Sequence, residues 1–217
     1  MAAKSTKKPG AELIIDVPAI NLKNATVRIV GTSPLVVNKF SNKAMQKMLD
    51  DQMKKAKTTA REAKNPVADF VNSLHWMTPE PEQPYAEIDE AVFEMAIERG
   101  AKFGFRTVGV KASIVSAAYR NKIMKDMVTT RGMFMIKGEY VEIKGVKPIM
   151  RQDTVRVGMG KADIRFRAHF DTGWYMDLDF TYNASMITLE QLVSFITLGG
   201  FSVGIGEWRA EKGGTWG

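Results

Sequence analysis

The residue types able to do covalent or metal chemistry in this chain are few, and their spacing limits them further. Histidine occurs at His75 and His169, far apart, and cysteine does not occur. Thiolate nucleophiles, disulfides and Cys-based zinc sites are excluded, and a Ser-His-Asp triad would have to use one of those two imidazoles. His75 stands beside Trp76 at a helix end and reads as a packed histidine rather than a base. Asp177 and Asp179 lie two apart in an alternating segment, so they share one strand face. Such a pair is compatible with magnesium and a metal-dependent nuclease, although arginines expected opposite supply the same counter-charge. Gly158-Met159-Gly160-Lys161-Ala162 is a faint phosphate-loop pattern. Val155 occupies the position of the first glycine and Ala162 replaces the magnesium-binding Ser or Thr, so ATP binding is rejected. No catalytic residue, metal or cofactor is assigned.

Binding chemistry is better represented. The chain has 217 residues, a formal net charge of +7 and a pI near 9.5, a balance that favours polyanionic partners. The excess is regional. Glu80 to Glu98 is acidic, whereas Arg99 to Arg167 is dense in Lys and Arg opposed by Asp126, Glu139, Glu142, Asp153 and Asp163. Phosphate contacts are expected from Lys39, Arg106, Lys111, Arg120, Arg131, Arg156, Lys161 and Arg209. Arg165, Arg167 and His169 form a basic row on one strand face with Tyr175 nearby, the arrangement by which a sheet stacks bases and holds phosphates. The same arginines also fit ordinary cross-strand pairs with Asp177 and Asp179. Near the end, Gly199, Gly200, Gly204 and Gly206 precede Arg209. They suit either close backbone approach to a phosphate or a helix stop followed by a bulge.

The elements that position these residues are readable from periodicity. Met1 to Pro18 is a polar, lysine-bearing arm (Lys4, Lys7, Lys8) with no secretory signal. Ala25–Val30 alternates as a strand, Gly31 to Pro34 turns, and Leu35–Val37 resumes an extended run. Ser41–Lys64 predicts one long helix whose Met45, Met48, Leu49 and Met53 form a core or partner-facing stripe among Lys43, Lys47, Lys54, Lys55 and Lys57. Further helices are expected at Pro66–Leu74, Glu87–Arg99 (stopped by Gly100), Gly109–Met124, and from a Thr188/Gln191 capping box to Gly199-Gly200. Met133–Ile136 and Tyr140–Ile143 suggest a hairpin, and Lys147–Val157 is extended. Ile164 to Thr181 reads as a second hairpin about Asp171-Thr172-Gly173. It would pair Phe170 with Trp174, Ala168 with Met176, Phe166 with Leu178, Arg167 with Asp177 and Arg165 with Asp179. Phe201–Trp208 is expected to be a last strand.

The fold class is therefore α+β, with a ferredoxin-like or RRM-like core over residues 19–217, a helical insertion at about 41–100 and a β-ribbon extension at about 132–158. No apolar run is long enough to span a membrane, and a cytoplasmic setting is expected.

Thr26 to Leu35, the expected hairpin from Ile164 and the glycine-rich run Gly199 to Arg209 together resemble the RAMP superfamily, and within it the Cas7-like backbone proteins of CRISPR effector complexes. The glycine-rich run is also similar to one found among bacteriophage proteins. The resemblance implies an RRM-like palm, a helical lobe, a hairpin thumb and head-to-tail assembly along RNA. It implies that Gly199, Gly200, Gly204 and Gly206 form a glycine-rich loop and that Lys39 sits near the nucleic-acid groove. No aspartate matches a target-cleaving loop and no histidine matches a guide-processing position. The expectation is a non-enzymatic protein that binds single-stranded RNA or DNA and oligomerises along it, a helical filament being one form such a homo-oligomer takes. A viral structural or scaffold protein with acidic protein partners is the alternative, and a metal-dependent nuclease the second.

Overall fold

The computed structural model describes residues 19–40, 42–54, 63–157 and 160–215. The arm Met1–Pro18, Lys55, Lys57, Gly158 and Met159 lie outside the described residues, as do the side chains of Lys43, Lys47 and Lys161. In chain order the elements are β1 (Leu22–Val30), β2 (Leu35–Val37), α1 (Asn42–Gln52), α2 (Pro66–Ser73) and β3 (His75–Trp76). Next come α3 (Glu90–Glu98), β4 (Phe103–Arg106), α4 (Thr107–Arg120), α5 (Met127–Met133), β5 (Phe134–Ile136) and β6 (Tyr140–Glu142). The last are β7 (Ile149–Val157), β8 (Lys161–Phe170), β9 (Tyr175–Asn183) and α6 (Leu189–Ser202). Among the described residues they build a mixed α and β fold with three antiparallel sheets, ordered β1-β9-β5, β2-β8-β7 and β3-β4-β6.

Local chemistry sets the helix ends. Asn65 caps α2 by accepting from the Ala68 amide at 3.1 Å, with Pro66 pre-set in the first turn. Asp89 caps α3, which Gly100 stops at φ +82°. Both bonds of the Thr188/Gln191 capping box are present at α6. Asp126 caps the short α5, an element that periodicity did not reveal.

Alternation sets the core. Ala168 and Phe170 of β8 and Met176, Leu178 and Phe180 of β9 are fully buried, as their spacing requires. Phe134, Ile114 and Leu192 close the layer between the β1-β9-β5 sheet and helices α4 and α6. The pairing of β8 and β9 differs from expectation. They are not a hairpin: β8 pairs with β7 and β2, while β9 pairs with β1 and β5. Likewise β5 joins β9 and β6 joins β4, so no hairpin forms across Lys137 to Glu139. The ribbon is formed by β7 and β8 over 149–170, with β2 joining it at residues 168–170. Alternation assigns a residue to a face but leaves open which strand lies alongside.

Two helices also depart from their sequence limits. α1 ends at Gln52, and Met45, Met48, Leu49 and Met53 are all about half exposed rather than core. α6 runs through Gly199-Gly200 to Ser202, and the expected strand Phe201–Trp208 is replaced by an irregular segment tied to β2 by a Val36–Glu207 bridge.

Candidate nucleic-acid interface

The sequence-predicted residues separate into three groups. The first converges on a cleft of about 400 Å³. Its floor comes from β2 and the first turns of α4, and its walls from His75, Arg106 and the segment Val203 to Glu211. Gly204, Gly206 and Arg209 all line it, together with Arg106. Gly204 and Gly206 have φ of +74° and +76°, a region that disfavours side chains. A Cβ on Gly206 would stand 2.6 Å from Leu35 Cδ1 and 2.7 Å from the Val36 carbonyl oxygen. The glycines therefore let this segment lie flat against β2. Arg209 fastens it, donating from Nη1 to the Gly206 carbonyl at 2.7 Å.

Charge is arranged around the same opening. The Arg106 guanidinium lies 6.0 Å from the Tyr140 ring centroid and 3.2 Å from Glu139. His75 meets Tyr140 at 5.3 Å between ring centroids. Burial, then the cations of Arg106 and Lys39, push the His75 pKa down to about 4, so its imidazole is neutral at pH 7. Lys39 pairs with Glu80 at 2.7 Å, and Arg120 and Arg209 share Glu211 at 2.5 and 3.2 Å. The α4 N-terminus also opens here, since Val108 and Gly109 line the cleft and helix N-termini favour anions.

The second group, Lys111 and Arg131, sits on α4 and α5. Burial and the Arg131 charge lower the Lys111 pKa. Among the described residues neither has an ion pair in the structure, and the Lys111 ammonium lies 5.4 Å from the Phe134 ring centroid.

The third group lies on the β7–β8 ribbon. Arg156 is exposed, and Arg165 stands 3.6 Å from Asp163. Arg167 is a correction. Its side chain is only 7% exposed and lies 3.7 Å from the equally buried Asp153, which removes it from any phosphate-binding surface. The basic row Arg165, Arg167, His169 does share a face, but in a sheet separate from Tyr175. Gly199 is a second correction. It is buried inside α6, where its carbonyl accepts from Ser113 and a Cβ would press on the Ile114 backbone at 3.3 Å. It serves helix packing. Gly200, also helical, is exposed and lines a different groove.

The helix-free face of the β1-β9-β5 sheet carries Asp177 and Asp179. Asp177 is held by Arg28 at 2.7 Å and Lys144 at 3.2 Å, and Asp179 accepts from Thr26 at 2.6 Å. The Arg28 hydrogen bond holds the Asp177 pKa below the usual carboxylate range. The Arg28 and Thr26 contacts are cross-strand pairs to β1, in place of the expected pairs with Arg167 and Arg165. Among the described residues no cluster of three metal-ligating side chains exists. No helix among them is long and apolar enough to cross a membrane.

No protein-family model, no curated protein and no solved structure matches this chain.

Proposed function

We propose that this chain binds single-stranded nucleic acid, RNA or DNA, without cleaving it, through the cleft between α4 and the Val203–Glu211 segment. The carrying observation is the convergence of Arg106, Arg209, Gly204 and Gly206 with the α4 N-terminus on that cleft. Arg106, Arg209 and the α4 N-terminus at this opening suit phosphates, while Tyr140 and the neutral His75 ring offer stacking partners at its edge. Arg156 on the ribbon is a further exposed cation.

A ferredoxin-like core of the RAMP type is part of this reading. Its support is the order β1-α4-β5-β9-α6 with β1, β9 and β5 adjacent, which corresponds to five of the six elements of that fold. Assembly along the ligand is a further part, supported by the exposed Met45, Met48 and Leu49 on α1 with Met53 just beyond its end.

Binding of labelled single-stranded RNA and DNA across a salt series tests the proposal. Affinity should fall steeply with salt. Arg106→Gln should weaken binding and make the log–log slope shallower by about 0.7 for each phosphate that is no longer neutralised. A salt-independent affinity, or an Arg106→Gln variant that matches the parent, would overturn it.

A further inference from the structure

The cations around the cleft are matched by carboxylates. Arg106 meets Glu139 at 3.2 Å, Lys39 meets Glu80 at 2.7 Å, and Arg120 and Arg209 converge on Glu211. Lys111 of α4 and Arg131 of α5 break this pattern. Among the described residues neither forms an ion pair. The two helices pack together, and Arg131 is near enough for its charge to disfavour the Lys111 ammonium. Lys111 is half-buried, with its ammonium 5.4 Å from the centroid of the buried Phe134 ring. It has less freedom to swing away from Arg131 than an exposed lysine would have. Like charges held together without a counter-ion cost stability. An anion that bridges them reverses the sign, and a phosphate supplies charge and acceptor oxygens at once.

The pair stands beside the cleft. Val108 and Gly109 of α4 and Met127 of α5 line it. Lys111 follows Val108 by three residues and Arg131 follows Met127 by four, spacings that share a helix face. Along the α4 axis Lys111 lies about 7.5 Å beyond Arg106, so one strand can meet both. Val108 and Val128, each three residues before one of the two cations, are 64% and 75% exposed, which leaves the approach from solvent open on both helices. We propose that Lys111 and Arg131 form a second phosphate site, which holds a phosphodiester of the bound strand beside the one seated at Arg106 and Arg209. The proposal rests on the reading of the cleft as a nucleic-acid interface and extends that interface across α4 to α5.

Lys111→Met keeps an apolar stem near Phe134 and removes the charge, and Arg131→Gln removes its neighbour. In the full chain, either variant should bind labelled single-stranded RNA or DNA several-fold more weakly. Across a salt series the double variant should show a log–log slope shallower by about 0.7, the share of one phosphate rather than two, because both cations serve the same one. Adding Arg106→Gln should take off about 0.7 again, since that residue serves the cleft. Without nucleic acid, Lys111→Met should shift the thermal midpoint upward, because the charge beside Arg131 is gone; weaker binding by a more stable protein is not a folding defect. A double variant that matches the parent while Arg106→Gln does not would overturn this site and leave the cleft standing. An effect of the double variant with none from Arg106→Gln would support the pair and sink the cleft. A lower midpoint for Lys111→Met would overturn the site by showing that the ammonium holds the fold. Inorganic pyrophosphate is the second probe. Loss of its binding in the double variant, with oligonucleotide binding intact, would overturn the strand contact in favour of a free phosphate compound.

Discussion

Ser113 of α4 donates its hydroxyl to the carbonyl oxygen of Gly199 in α6 at 3.0 Å, and the two helices close to backbone distance at that point. A Cβ at Gly199 would sit 3.3 Å from the Ile114 Cα and amide nitrogen, neither of which can swing aside. Gly199→Val is therefore expected to destabilise the fold by about 1–3 kcal/mol, a typical penalty for overpacking. Urea unfolding measures it. Nucleic-acid affinity of the folded fraction should be unchanged, since Gly199 lies outside the cleft.

Glu211 neutralises two cations of the cleft at once, Arg120 and Arg209. Glu211→Gln should free both for phosphate. Tighter binding at low salt is expected, with a log–log salt slope steeper by about 0.7 for each additional phosphate neutralised. Fluorescence anisotropy at several salt concentrations decides this.

His75 and His169 are the only histidines in the chain, so their ring protons are readily resolved by NMR. The His75 ring should remain neutral until the pH nears about 4. Between that value and the ordinary 6.5, the unfolded chain takes up a proton that the folded chain refuses. Stability contributed by the neutral ring is thus present above about pH 6.5 and is lost as pH falls toward 4. His75→Gln should flatten stability against pH in that window.

Asp177 behaves in the same direction for the opposite reason. Its carboxyl is held low, chiefly by Arg28, so its stabilisation is complete above the unfolded carboxylate pKa of about 4 and is lost as pH falls through the folded value. Asp177→Asn should lower the midpoint of unfolding at pH 7, and the difference from the parent should vanish in acid. Magnesium-dependent cleavage appearing in the parent and disappearing in a folded Asp177→Asn would contradict the structural role assigned to this residue.

The capping box at Thr188 was legible because a cap is local: the side chain bonds an amide three residues away. The inward face of β9 was legible for a similar reason, since a two-residue period needs no knowledge of partners, whereas on β8 Ala168 and Phe170 are buried but Ile164 is exposed. The grouping of Gly204, Gly206 and Arg209 could also be read, because it lies within a few residues.

Strand pairing was decided by the tertiary structure. A hairpin register matching Arg167 with Asp177 satisfied both faces, yet Asp177 is bonded to Arg28, 149 residues away. Charge complementarity cannot rank two arginines when long-range packing chooses the neighbour. The same competition carries α6 through Gly199-Gly200, where contact with α4 outweighs a helix penalty of about 1 kcal/mol per glycine. Sequence alone determined the start of α6, the buried face of β9, the basic character of the middle region and the want of thiol chemistry. Only the tertiary structure brought Arg106 to Arg209, buried Arg167 against Asp153 and paired β1 with β9, because each depends on contacts between residues that local periodicity cannot relate.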